Sequence, residues 1–149
     1  MKDTKVRRII CAALIILTLI FIWGNSLLPA EYSRLVSRAA KNFLRFLAGK
    51  PPITGGGKGS GLLRKIAHFT EFALLGMELC WLCRMKKKNV FLPLAMGIPV
   101  AWIDEGIQYF IPGRSCQLWD VCLDSLGLTT GFILILLLSF ILERRKRPK

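Results

Sequence analysis

The feature that most constrains this chain is an apolar run over residues 9–28 that contains no charged side chain. Twenty residues of α-helix rise about 30 Å, which matches the hydrocarbon thickness of a bilayer. Lys2, Lys5, Arg7 and Arg8 precede the run, as in the basic start of a secretion signal. The run is too long for a signal core, however, and no A-x-A cleavage site follows it. It therefore reads as a membrane anchor. The rest of the sequence has the same character: 53% of the 149 residues are hydrophobic, in long blocks, and the mean hydropathy is +0.47. This excludes an ordinary soluble domain.

Three further apolar stretches lie over 63–83, 90–111 and 118–142, separated by short basic or Pro-Gly breaks. Their lengths also fit membrane crossing, although each contains polar residues. The expectation is an all-α integral membrane bundle of about four transmembrane helices, forming one domain over 1–149. The formal charge of +13 fits a membrane surface, because the basic residues flank apolar blocks and no nucleic-acid-binding motif is present. Membrane lipids are the expected partners, and nucleic acid is not.

Flanking Lys and Arg set the expected orientation. Short dense clusters occur at Lys2–Arg8, at Arg84 with Lys86–Lys88, and at Arg144–Lys149. The basic residues between the first and second stretches are more dilute. Both termini and the Met85–Lys88 loop are thus expected in the cytoplasm, in a multi-pass protein of the cell membrane. Three spans with one re-entrant segment satisfy the same rule nearly as well.

Between the first two stretches, Glu31–Leu47 places Leu35, Ala39, Phe43, Leu44 and Leu47 at helical spacing, with Arg34, Arg38, Lys41 and Arg45 on the other side. That pattern suits an amphipathic helix lying in a membrane interface, or one packed on the protein's own outer surface. Pro51-Pro52 ends it. The glycine-rich stretch over 55–61 reads as a flexible linker, since its Lys and Ser lack the spacing of a phosphate-binding loop. The five cysteines do not make a disulfide framework. Cys80 and Cys83 form a C-x-x-C inside an apolar helix, which reads first as two small apolar residues and second as a redox or metal pair.

The informative residues are ionisable groups inside the apolar stretches: His68, Glu71 and Glu78 in the second, Asp104 and Glu105 beside Gln108 in the third, and Asp120 and Asp124 at the start of the fourth. Arg114 lies in the loop between the last two. A charge at mid-bilayer costs about 2.5–3.5 kcal/mol on insertion scales. Such groups persist when they pair, line a wet cavity or do chemistry. With cytoplasmic termini, all of them except Glu78 fall within one or two turns of the outer surface, and Asn25 and Ser26 join the same layer. His68 and Glu71 are three apart, while Asp104 with Gln108 and Asp120 with Asp124 are four apart, so each pair shares a helix face. Five carboxylates gathering near one arginine must share protons, pair with His68, Arg114 or Lys65, or bind a cation. The expected ligand-binding set is His68, Glu71, Asp104, Glu105, Gln108, Arg114, Asp120 and Asp124. A salt-bridged layer that merely fixes helix register is the competing expectation.

The string from Asp104 to Ser115, D-E-G-I-Q-Y-F-I-P-G-R-S, followed by Asp120-Val121 and Asp124-Ser125-Leu126-Gly127, resembles the signature of the VanZ-like membrane protein family. Upstream, Lys65–Gly76 resembles that family's K-x-x-H-x-x-E-Y/F-x-x-L-G element. Two departures are visible. Ile107 stands where many members have His, which weakens any two-histidine metal site, and Asn25-Ser26 stands at the Ser-rich end of the first span. The resemblance implies a small multi-span protein of the bacterial cell envelope, in a family named for a member associated with low-level teicoplanin resistance. A cell-wall precursor or a lipoglycopeptide then joins lipid among the expected partners.

Two function classes follow, beside a third in which the polar layer is structural and the protein only binds a partner. In the first, the protein is not an enzyme and lowers glycopeptide action by binding a surface or lipid-linked ligand. In the second, it is a membrane-embedded enzyme on a lipid-linked or phosphorylated substrate. His68, Glu71, Asp104 or Glu105 is then the general base and Arg114 the anion clamp. A variant of the second places a metal among His68 and the carboxylates. No G-x-S-x-G or H-E-x-x-H motif selects an enzyme class, and the sequence leaves cofactor and metal open. Transport is disfavoured by the absence of internal repeats.

Overall fold

A computed structural model describes residues 2–52, 60–114 and 117–145. Among them are five helices and no strand: α1 Lys2–Leu27, α2 Ala30–Leu47, α3 Ser60–Met85, α4 Leu92–Tyr109 and α5 Leu118–Arg145. The glycine-rich linker lies outside the described residues as far as residue 59, and Ser60 and Gly61 already belong to α3.

Three helices are long and apolar enough to cross a membrane, over Thr4–Leu27, Gly61–Met85 and Leu118–Arg145. The fourth apolar stretch forms α4, which at 18 residues is shorter than expected and carries Pro99 in its interior. Asp104, Glu105 and Gln108 lower its apolar character, yet all three are buried. Its exposed residues include Ile98, Trp102 and Ile103.

The α3–α5 pair forms the spine. A Cβ at Gly127 would strike the Phe69 carbonyl, one at Gly131 the Ala73 carbonyl, and one at Gly76 the Leu128 carbonyl. Gly127 and Gly131 are four apart on α5, the small-residue spacing that lets two helix backbones touch in a bilayer. Leu128, between them, fills the space left by Gly97 on α4. The core around this contact is small: Ile22, Phe72, Leu75, Leu79, Ala101, Val121 and Leu128, with Cys11 and Ile15 at one end. Outside it, α1 exposes Ile16, Leu17, Ile20 and Phe21, and α5 exposes Leu134, Leu137, Leu138 and Ile141. Apolar side chains turned outward in this number fit contact with lipid rather than water.

One end of the bundle gathers the start of α1 and the ends of α3 and α5. There Arg8 Nη2 donates to the Met85 carbonyl at 2.7 Å, and Arg84 Nη2 pairs with Glu143 Oε1 at 2.6 Å. The α3–α4 turn closes with Lys88 N donating to the Cys83 carbonyl at 2.9 Å, and Lys87 adopts a positive φ of 51°. Cys80 and Cys83 are buried free thiols at this end.

Helix α2 is amphipathic, but it packs with its polar side inward. Ser33, Ser37 and Lys41 are half-buried, while Leu35, Phe43, Leu44, Phe46 and Leu47 are exposed. It meets α3. The chain turns out of its last residues with Arg45 Nε donating to the Pro51 carbonyl at 2.7 Å.

Candidate functional site

The other end of the bundle collects the polar residues of four helices. His68 and Glu71 come from the first turns of α3, Asp104, Glu105 and Gln108 from the last turns of α4, Asp120 and Asp124 from the start of α5, and Asn25 and Ser26 from the end of α1. Antiparallel neighbours bring these sequence-distant groups to one end of the bundle, and the three- and four-residue spacings turn each group inward.

At the centre, His68 Nδ1 lies 3.9 Å from Glu71 Oε2 and 3.8 Å from Asp104 Oδ2. Neither separation is a hydrogen bond. His68, Asp104 and Asp124 each present a ligand atom within 4.8 Å of the other two. Asp104 is 0% exposed and Asp124 1%. Neutral amides hold one oxygen each of Asp104 and Glu71. Gln108 Nε2 donates to Asp104 Oδ2 at 2.8 Å and to Ser26 Oγ at 3.3 Å, and Asn25 Nδ2 donates to Glu71 Oε1 at 2.9 Å.

Three of the expected site residues stand apart from that centre and have local partners. Asp120 pairs with Lys65 Nζ at 3.0 Å, and Arg64 Nη2 stands 3.8 Å away. Glu105 Oε2 accepts from the backbone N–H of Gln117 at 3.0 Å, immediately before α5. A carboxylate there satisfies a helix-start donor and complements the helix dipole. Arg114 directs Nε to the Leu28 carbonyl at 3.0 Å and Nη2 to the Asn25 carbonyl at 2.7 Å, closing the end of α1. Its buried Nη1 has no hydrogen-bond partner among the described residues. Burial, and then the nearby Arg64, lower the Arg114 pKa from the usual guanidinium value, while Asp104 and Glu105 oppose the shift.

A cavity of about 140 Å³ lies beside this layer, between α1, α2 and α3. Its wall includes Asn25, Ser37, Arg64, His68, Glu71 and Arg114. Arg64 and the α2 serines carry no polar signal strong enough to single them out in the sequence. Arg64 precedes His68 by four and Glu71 by seven, so its position on the same face was legible from spacing. Ser37 required knowing which side of α2 turns inward. Glu78, set deeper, accepts from Thr18 Oγ1 at 3.1 Å and takes no part in the layer.

The VanZ/LLP1 family model matches residues 9–139, most of the chain. The chain belongs to the VanZ/LLP1 family. No curated protein and no solved structure matches it. Both motif segments of the VanZ-like resemblance, Lys65–Gly76 and Asp104–Gly127, fall inside the matched range. In this VanZ/LLP1 chain their roles divide. His68, Asp104, Gln108 and Asp124 form the buried layer with half-buried Glu71 at its edge, Gly76 and Gly127 form the α3–α5 contact, and Arg114 closes α1.

Proposed function

We propose that this VanZ/LLP1 protein is a four-span, single-domain protein of the bacterial cell envelope that lowers sensitivity to lipoglycopeptides of the teicoplanin type. It does so by holding an anionic lipid-linked or surface ligand, such as a cell-wall precursor, in the cavity between α1, α2 and α3. The observation that carries this reading is the pair of guanidinium groups, Arg64 and Arg114, on the wall of a cavity that also presents Asn25 and Ser37. Two guanidinium groups beside Asn25 and Ser37 outnumber the one carboxylate on the wall, Glu71, and suit a phosphate or carboxylate.

Several features support the placement. The polar residues that weaken α4 as a span are all buried, so lipid would meet its apolar face. Arg8, Arg84, Arg144 and Arg145 share the bundle end where Arg8 meets Met85 and Arg84 meets Glu143, and the positive-inside rule then favours a cytoplasmic position for that end and an outer position for the cavity. The exposed apolar side of α2 then rests in the outer interface.

The test is growth inhibition of a susceptible Gram-positive host expressing the chain, measured with lipid-tailed and untailed glycopeptides beside a membrane-fraction blot. Protection is expected against tailed drugs and is expected to vanish in Arg64→Gln and in Ser37→Phe, which fills the cavity from α2. Equal protection by wild type and both variants overturns the role of the cavity. A second reading, a membrane-embedded hydrolase or transferase, is favoured by one observation. His68 lies between two carboxylates and on the cavity wall, where a general base would stand. Absence of protection despite full expression shifts the weight to it.

A further inference from the structure

The buried layer holds more negative charge than its partners neutralise. Asp120 has Lys65 and Arg64, and Glu105 sits at the start of α5. Asp104 and Asp124 have no cationic partner beyond His68, and Asp104 Oδ1, Asp124 Oδ1 and His68 Nδ1 are each buried without a hydrogen-bond partner among the described residues. Burying such groups unpaired is costly.

We propose that His68, Asp104 and Asp124, with Glu71 as a fourth donor, bind one divalent cation of the zinc or manganese class. Three observations carry this. The first is the spacing: donors on a common first-row metal ion, each about 2.0–2.2 Å from it, lie roughly 3–4 Å apart; His68 Nδ1 is 3.8 Å from Asp104 Oδ2 and 3.9 Å from Glu71 Oε2, and Asp124 presents an oxygen within 4.8 Å of the His68 and Asp104 ligand atoms. These separations are too long for direct hydrogen bonds and leave room for an ion between the groups. The second is the outer shell. Gln108 and Asn25 donate to Asp104 and Glu71, an arrangement that orients carboxylates as metal ligands. The third is the charge: Asp104, Asp124 and Glu71 have no lysine or arginine ion-pair partner among the described residues, and a divalent ion offsets most of their negative charge. One imidazole among carboxylate oxygens favours zinc or manganese over calcium or magnesium. The cation also lies beneath a cavity read as anion-binding, and it removes the repulsion that Asp104 and Asp124 would otherwise exert on an anion. The site uses residues of the same layer as the functional reading but does not depend on it.

The experiment uses the full chain purified in detergent, stripped with a chelator, and dialysed against Zn²⁺ or Mn²⁺. Bound metal is measured by elemental analysis and folding by circular dichroism and thermal melting. About one equivalent is expected for wild type, with a higher melting temperature in the metal-loaded protein. Asp104→Asn and Asp124→Asn should weaken binding at least about tenfold, whereas Asp120→Asn, on its lysine, should retain it. If a variant fails to fold, the wild-type measurements still decide. Folded wild type that takes up neither ion and whose melting ignores the chelator overturns the proposal. So does equal loss of metal in Asp120→Asn and Asp124→Asn. Metal binding without protection of cells would sink the functional reading alone.

Discussion

Gly131 of α5 faces the carbonyl of Ala73 on α3 with no space for a side chain between them. Together with the Gly127–Phe69 and Gly76–Leu128 contacts, this fixes the depth at which Asp124 meets His68. In lipid, where helices gain nothing from apolar burial against each other, such close backbone packing is a principal source of association. Gly131→Val is expected to destabilise the bundle by at least about 2 kcal/mol, through overpacking against backbone that cannot rotate away. At Gly24 of α1, by contrast, a methyl group would meet nothing within 4 Å. Gly24→Ala should therefore be neutral or stabilise α1 by up to about 1 kcal/mol through helix propensity. Thermal melts of the two variants in one detergent check the contrast, and similar losses in both would refute it.

Arg114 gives a second prediction. Its fork closes two carbonyls at the end of α1 and leaves only Nη1 for other partners. Arg114→Lys keeps the charge but cannot reproduce the two-carbonyl geometry. A loss of about 1–3 kcal/mol is expected, the range for orphaned, partly buried hydrogen-bonding groups. Hydrogen exchange should show faster opening at residues 22–27. Unchanged exchange there would reduce Arg114 to a loop charge.

The convergence of the polar layer was legible in the sequence for a simple reason. Side chains three or four apart share a helix face, and alternating helices of bilayer length bring their ends together. The role of Arg114 was not, because its partners, Asn25 and Leu28, lie more than eighty residues away. The same holds for Thr18 and Glu78, sixty residues apart. The status of α4 as a span was ambiguous on hydropathy because the residues that build the layer are those that reduce its apolar character. Which face of α2 turns inward was left open by the sequence, because an interfacial helix and one packed on the bundle share the same pattern; Ser33, Ser37 and Lys41 are half-buried, while Leu35, Phe43 and Leu44 are exposed.

Lys65 and Asp120 give a third prediction. The pair is close at 3.0 Å, but Lys65 is 36% exposed. Exposed pairs contribute about 0.2–1 kcal/mol. A double-mutant cycle with Lys65→Met and Asp120→Asn should return a coupling in that range. A coupling of about 3 kcal/mol or more would place Asp120 inside the buried layer, alongside Asp104 and Asp124.

Glu78 gives a fourth. Its Oε1 accepts from Thr18 across the α1–α3 contact, and its Oε2 has no hydrogen-bond partner among the described residues. Thr18→Val preserves the shape and removes the donor. Interhelical side-chain bonds in membranes average about 0.6 kcal/mol, so a loss of about 0.5–1.5 kcal/mol is expected by thermal melting. Glu78→Gln should be tolerated, since the amide oxygen still accepts from Thr18. Failure of Glu78→Gln to fold would show that the carboxylate has a partner of its own.

The last prediction concerns sidedness. The start of α1 and the ends of α3 and α5 are joined through Arg8–Met85 and Arg84–Glu143, so they lie on one side whatever its identity. Lys87 belongs to that end, whereas Lys41 on α2 belongs to the end that carries the cavity, because α2 begins three residues after α1 ends. By the positive-inside rule, the end that carries Arg8, Arg84 and Arg144 is expected in the cytoplasm. In a chain with its native cysteines replaced, Lys41→Cys should react with a membrane-impermeant thiol reagent in intact cells. Lys87→Cys should react only after permeabilisation. The reverse pattern would put the cavity on the cytoplasmic side, out of reach of an external glycopeptide. Labelling of both positions in intact cells would mean that α1 and α3 do not both cross the membrane. The exposed apolar side of α2, which includes Phe46 and Leu47, adds a depth measurement. A spin label at position 47 should be quenched by lipid-soluble oxygen more than by a water-soluble collider if this face rests in the interface. Preferential quenching by the aqueous collider would lift α2 off the membrane and leave its apolar face for another partner.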